Sequence, residues 1–365
     1  MKKHKKKSQL LLKPGYLALF IIALLGATLL VTSFASSSYV SVSPESGSIT
    51  GRAVVCDAQP ESQGQFVQFG SDNCNGQTYI NPIKSIAADP GVIEVDGTYY
   101  MVWTTGEPLF YIFKSNDLIN WEWSFANIFN NTHPWGVDRF WAPEIHKVGN
   151  KFVAYYSAST KSGKLAIGAA TANSVTGPYT DIGEPLIEEP YGVIDVNFFS
   201  APNGKNYLYW KEDGGNTRIF GQEVDNTGVN FIGQQKVVLQ KSLAWEGDKG
   251  IEAPWVTFKD GRYYMFYSGE LFSSDKYAIG VARSLSPLGQ FVKKGDPIVS
   301  SSAVWKGPGH NSVVSKGGDD YLIYHAYKNN AGEGFRHTLL DKIIWQDNWP
   351  TINSGQPSNS PQQYP

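Results

Sequence analysis

Apolar and polar residues alternate along most of this chain in short runs, the period of half-buried β-strands, and few stretches show the spacing of helices. Five runs share one layout: Asp89–Trp103 (DPGVIEVDGTYYMVW), Ala142–Ser157 (APEIHKVGNKFVAYYS), Asp195–Trp210 (DVNFFSAPNGKNYLYW), Ala253–Ser268 (APWVTFKDGRYYMFYS) and His310–His325 (HNSVVSKGGDDYLIYH). Each opens on alternating residues and then turns, at Asp96-Gly97, Gly149-Asn150, Asn203-Gly204, Asp260-Gly261 and Gly317-Gly318. Each continues into an aromatic strand around Tyr99-Tyr100, Phe152, Tyr207, Tyr263-Tyr264 and Tyr321. Such turn pairs are hairpin chemistry. The copies start 53, 53, 58 and 57 residues apart, so one hairpin-based unit repeats at a nearly fixed period. The predicted fold is all-β, a five-bladed β-propeller over roughly residues 80–350.

A propeller brings equivalent positions of its blades into a ring around one axis. The predicted ring is Asp89, Ala142, Asp195, Ala253 and His310, with Glu252 one residue before its ring position. Two aspartates and a glutamate, far apart in sequence, are thus expected to face each other. Like charges in a shared cavity resist ionisation, so three acids there point to function rather than structure. Asp96, Asp260, Asp319 and Asp320 sit at turns instead and are expected to be solvated.

The ends of the chain read differently. Residues 1–13 carry six lysines, Tyr16–Val31 is almost wholly apolar, and no charge occurs between Lys13 and Glu45. Residues 1–35 are expected to be a signal peptide cleaved after Ala35, or an uncleaved N-terminal membrane anchor tethering the protein through residues 16–35. Either form puts the body outside the cytoplasm, secreted or at the outer membrane face. A Ser-rich linker (36–55), the propeller (56–352) and a disordered low-complexity tail (353–365) complete the expected organisation. Cys56 and Cys74 are expected to form a disulfide in an exported protein, the alternative being two free thiols.

Beyond the basic leader the chain holds 25 basic and 33 acidic residues (31−6 against 33), a net charge of −8 that disfavours nucleic acid and anionic surfaces. No phosphate-cradling, HExxH or GxSxG pattern stands in its required context, and no organic cofactor is expected. The chain is expected to act as a monomer. Aromatics reach 14%, a surplus over core needs that suits stacking on sugar rings. Trp141, directly before ring position Ala142, is the first candidate, with Trp103 and Trp255 beside other ring positions.

Paired carboxylates in a concave, partly apolar site are the tools of glycosidic bond cleavage. One donates a proton to the leaving oxygen, the other activates water or attacks, and a third charge raises the acid's pKa. Asp89, Asp195 and Glu252 supply these parts. His310, among Gly307, Pro308 and Gly309, is a candidate to bind substrate, orient water or ligate a metal. Arg336 is a candidate partner for one of the acids. Glu144, two residues past its ring position, is expected to be structural.

These motifs resemble glycoside hydrolase family 43. The resemblance covers about Lys84 to Pro350 through AADPGVI, FWAPEI (Phe140–Ile145), GVID at Asp195, IEAPW at Glu252, GPGHNSVV through His310, YHAY and the late Arg336. It implies a five-bladed propeller and an inverting hydrolase of arabinose- or xylose-containing glycans. By motif, it implies Asp89 as general base, Glu252 as general acid and Asp195 as the group that tunes and orients the acid. It also implies a calcium ion or other small ion in the channel near His310. Val196 follows Asp195 where many members have proline.

The expected activity is hydrolysis of α-L-arabinosyl linkages in arabinan or arabinoxylan, exo or endo. A β-xylosidase of the same fold and a non-catalytic carbohydrate-binding propeller are the alternatives. Fructan-cleaving propellers would carry an Asn-Asp-Pro-Asn type motif where Ala88-Asp89-Pro90-Gly91 stands.

Overall fold

The computed structural model describes residues 53–57, 65–69, 77–130, 134–214 and 217–365. They fall into two units, Met1–Gly76 and Gln77–Pro365. In the first, strands Ala53–Asp57 and Gln65–Phe69 pair antiparallel. The leader or anchor, the Ser-rich stretch 36–52 and the Cys56–Cys74 pairing lie outside what is described. Among the described residues no helix is long and apolar enough to cross a membrane.

The second unit contains five four-stranded antiparallel sheets, each a meander of consecutive strands. The first strands of the blades are Ala88–Val95, Trp141–Val148, Val193–Ser200, Ile251–Lys259 and Trp305–Lys316. They touch one another in a closed circuit, the fifth against the first. This is the five-bladed propeller the repeats predict. It begins at Gln77 rather than at residue 56, because the Cys56 hairpin belongs to the other unit. Two-residue loops close four of the five first hairpins, pairing Val95 with Thr98, Val148 with Lys151, Lys259 with Arg262 and Lys316 with Asp319. Asp96-Gly97, Asp260-Gly261 and Gly317-Gly318 all have positive φ at both residues, which the strand twist favours in such loops.

The hydrophobic core is divided among the blade interfaces. One buried cluster lies at each, such as Val102, Phe110 and Ile112 of blade 1 against Ile145 and Phe152 of blade 2. The other four join blades 2 and 3, 3 and 4, 4 and 5, and 5 and 1.

All five ring positions share one unusual conformation. Asp89, Ala142, Asp195, Ala253 and His310 have φ of 53°, 43°, 56°, 53° and 49°. Each is the first residue of a β-bulge. Ala88 pairs with Thr104 and Gly91 with Val102, so Asp89 and Pro90 oppose Trp103 alone. The other blades repeat this two-against-one count opposite Tyr156, Trp210, Tyr267 and Tyr324. A left-handed residue other than glycine costs about 1–2 kcal/mol. The return is a bend that re-aims its side chain and frees its N–H from the ladder.

That freed N–H is satisfied from the neighbouring blade. Ala142 donates to Thr104 Oγ1 (2.7 Å), Asp195 to Ser157 Oγ (3.1 Å), His310 to Ser268 Oγ (2.8 Å) and Asp89 to His325 Nδ1 (3.2 Å). The acceptors occupy one register position, directly after the aromatic that faces the bulge. Blade 3 has Lys211 there, which has no acceptor. Ala253 donates instead to Asp195 Oδ2 (3.1 Å). Five hydrogen bonds, one per blade interface, thus close a ring.

The tail 353–365 is not the disordered segment its composition predicts. Gln362–Gln363 pair with Thr78–Tyr79, and Tyr364 N–H donates to the Gln77 carbonyl (2.9 Å). Ser358 receives a hydrogen bond from Asn81 (2.9 Å) and its N–H reaches buried Asp341 (3.3 Å). The tail stays ordered because it satisfies backbone and carboxylate groups that would otherwise lack partners.

Ser268→Ala leaves the partly buried His310 N–H unpaired and is expected to cost about 1–3 kcal/mol. Calorimetry should show a melting temperature several degrees below that of the exposed control Ser162→Ala. Equal melting of the two variants would remove Ser268 from ring closure.

Candidate active site

At the ring lies a cavity of about 560 Å³, a size suited to a small ligand. Asp89, Asp195, Glu252, His310, Arg336 and Trp141 all line it, so six of the eight candidate site residues converge. Trp103 does not. It faces the blade 1 bulge, is buried, and packs on Phe113 with ring centroids 4.8 Å apart. It is the counterpart of the aromatics opposite the other four bulges, so its role is core packing. Trp255 is buried likewise, in the core between blades 4 and 5.

Asp89 is gripped from both sides. Arg336 Nη1 donates to Oδ1 (2.7 Å) and Thr104 Oγ1 to Oδ2 (2.6 Å), while His310 Nδ1 lies 3.4 Å from Oδ1. Glu252 is also held at both oxygens: Tyr277 OH donates to Oε1 (2.6 Å) and Lys211 Nζ to Oε2 (3.1 Å). Tyr277 reaches it by lying over Gly309, where a Cβ would meet the ring at 1.8 Å. Asp195 spends Oδ2 on the Ala253 N–H, which ties its carboxyl to the residue beside Glu252. Glu144 lies elsewhere, buried between His146 Nε2 (2.6 Å) and Asn197 Nδ2 (2.9 Å).

Residues 79–350 match the profile of glycosyl hydrolases family 43. The chain belongs to this family. It is 27% identical over 259 residues to a β-D-galactofuranosidase of Aspergillus niger, spanning 66% of this chain and 73% of that protein. It is 28% identical over 298 residues to an extracellular exo-α-(1→5)-L-arabinofuranosidase of Streptomyces avermitilis, spanning 73% of this chain and 61% of that one. Among solved structures, a thermostable family-43 glycoside hydrolase superposes with a TM-score of 0.73 at 30% identity, covering 79% of this chain and 99% of that one.

In this family-43 site the carboxyls are driven apart electrostatically. Burial pushes Asp89 up, but the Arg336 guanidinium and His310 outweigh it and hold the group well below the usual carboxylate range. Burial pushes Asp195 up to about 7; Glu252 and Asp89 add to the rise, and His310 and Lys211 oppose it. Burial acts on Glu252 too, yet Lys211 and the Tyr277 hydrogen bond prevail and lower it in the ligand-free site. Burial drives His325 down to about 4, aided by Arg336, so its neutral Nδ1 accepts the Asp89 N–H.

Calcium takes about six to eight oxygen ligands. His310 offers one nitrogen, and no group of three or more His, Cys, Asp or Glu suited to a metal occurs among the described residues. The described protein atoms alone do not build a calcium cage.

Lys211, Tyr277 and Thr104 are site residues the motifs did not single out. Lys211 was visible in the repeats: the aligned position reads Thr104, Ser157, Lys211, Ser268, His325, with one cation among hydrogen-bond acceptors. Tyr277 lies outside the repeated pattern and carries no such signal.

A carboxyl raised to about 7 in the folded state but ordinary when unfolded gives stability that is full below about pH 4 and lost as pH rises through 7. Asp195→Asn keeps an oxygen for the Ala253 N–H and removes this loss. It is expected to melt above the native protein at pH 8, with the gap shrinking towards pH 5. A gap independent of pH would show that Asp195 is not raised.

Proposed function

We propose that this protein hydrolyses α-L-arabinofuranosyl linkages with inversion of the anomeric carbon. Asp89 acts as general base on water, Glu252 as general acid on the glycosidic oxygen, and Asp195 tunes and orients Glu252. The observation that carries this is the electrostatic asymmetry of one pocket. Asp89 is held ionised by Arg336, while the neighbouring carboxyls Asp195 and Glu252 have their pKa values driven apart, with Asp195 raised to about 7. A base needs the first condition; the acid role of Glu252 is supported by its place in the IEAPW motif beside Asp195, while Lys211 and Tyr277 hold its own pKa down.

The chemistry is then a single displacement. Asp89 takes a proton from water as the water oxygen bonds to the anomeric carbon. The bond to the leaving oxygen breaks as Glu252 protonates that oxygen. Trp141 offers a face for the sugar ring, and Leu271 and Phe272 give the mouth an apolar wall. Arabinose is supported by the Streptomyces relative's name, and export by the word extracellular in it together with the basic–apolar N-terminus. The Aspergillus relative favours a second substrate, a β-D-galactofuranoside, which shares the five-membered ring.

The test is sugar release from linear arabinan, arabinoxylan, xylan and the aryl α-L-arabinofuranoside, β-D-galactofuranoside and β-D-xyloside. Arabinose or arabino-oligosaccharides are expected, with product size separating exo from endo action. Asp89→Asn and Glu252→Gln should each lower turnover of the natural glycan by about 10²-fold or more. Near-native turnover in either variant removes that residue's role, and xylose alone moves the substrate to xylan. Binding without release from any substrate would support a carbohydrate-binding propeller instead.

A further inference from the structure

Lys211 stands where the ring of acceptors is broken. At the same register Thr104, Ser157, Ser268 and His325 each accept a ring N–H from the next blade. Lysine donates only, so this position has left ring closure, and the Asp195 carboxylate replaces it. The side chain is 9% exposed, and a lysine this buried is rare unless paired. Its ammonium is shared between Glu252 Oε2 at 3.1 Å and Asp213 Oδ1 at 3.7 Å. Burial draws its pKa down, but Glu252, Asp195 and Asp213 outweigh that and keep it a cation.

We propose that Lys211 is a positioning residue that clamps Glu252 in the ligand-free enzyme, and that Asp213 is the second anchor to which its ammonium moves when substrate enters. The inference rests on the proposed function, because it assigns Glu252 a proton to donate. With Lys211 and Tyr277 each on one oxygen, the plane of the Glu252 carboxyl is fixed. With Lys211 on Glu252 the carboxylate is favoured. A hydroxyl or glycosidic oxygen arriving at Oε2 competes for the same atom, and Asp213 receives the displaced ammonium. The groups facing Glu252 are Asp195 and Lys211 from blade 3, Tyr277 from blade 4 and His310 from blade 5. Asp248, Lys249 and Glu270 also line the cavity.

The experiment is the pH dependence of kcat/KM on an aryl α-L-arabinofuranoside, alongside a 13C NMR titration of the Glu252 carboxyl. Lys211→Ser, which installs the residue of blades 2 and 4, is expected to raise both the alkaline limb and the Glu252 titration by about one pH unit or more. Lys211→Arg keeps the charge and should leave both near the native values. Asp213→Asn removes the competing anchor and should lower both. A lysine needed only for packing would change the melting temperature and move neither. If Lys211→Ser does not fold, Asp213→Asn carries the comparison. An active native protein whose limb and Glu252 titration ignore these variants overturns the inference and leaves the function standing. Native protein that releases no sugar from the whole panel overturns the function itself.

Discussion

The site depends on a left-handed bulge that every blade carries at the same register of its first strand. Such a bulge costs energy five times over and exposes a backbone N–H with no ladder partner. The fold offsets this by capping each N–H with a side chain from the adjacent blade. Interblade closure and the aiming of the site side chains are therefore one interaction seen from two sides. Thr104 shows the coupling directly, since its hydroxyl accepts the Ala142 N–H and donates to Asp89. Asp195 shows it again, using one carboxylate oxygen to close the ring beside Glu252.

Electrostatics then differentiates groups that geometry has brought together. Two aspartates occupy equivalent positions, yet the Arg336 guanidinium lies on one and not the other. Burial pushes both up, but Arg336 and His310 overcome it at Asp89, whereas at Asp195 it prevails. Glu252, one residue before its ring position, escapes ring duty and is free to meet Lys211 and Tyr277. A strict repeat would have made three equal carboxyls; departures at residues 211, 252 and 336 make them unequal.

The fold was legible because the repeat is written in turn residues and alternating apolar positions, both local signals. Asp89, Asp195 and His310 were legible because radial repetition turns sequence equivalence into proximity. Trp103 misled because adjacency to a ring position in sequence is not adjacency in space across a bulge: the aromatic facing each bulge is core. Low complexity predicts a tail without partners, whereas Ser358 and Gln362–Gln363 find partners more than 200 residues away in sequence. Tyr277 was illegible because it reaches Glu252 only through the close approach that Gly309 permits. The N-terminal leader and Cys74 lie outside the described residues.

Asp89 and Glu252 are proposed to act across the pocket as base and acid in one displacement. This is tested most directly by the anomeric configuration of the first sugar released from an α-L-arabinofuranoside, followed by 1H NMR before mutarotation. β-L-Arabinose is expected as the initial product, as a single displacement by water requires. Initial α-L-arabinose would mean a covalent intermediate, and would contradict the roles given to both carboxylates.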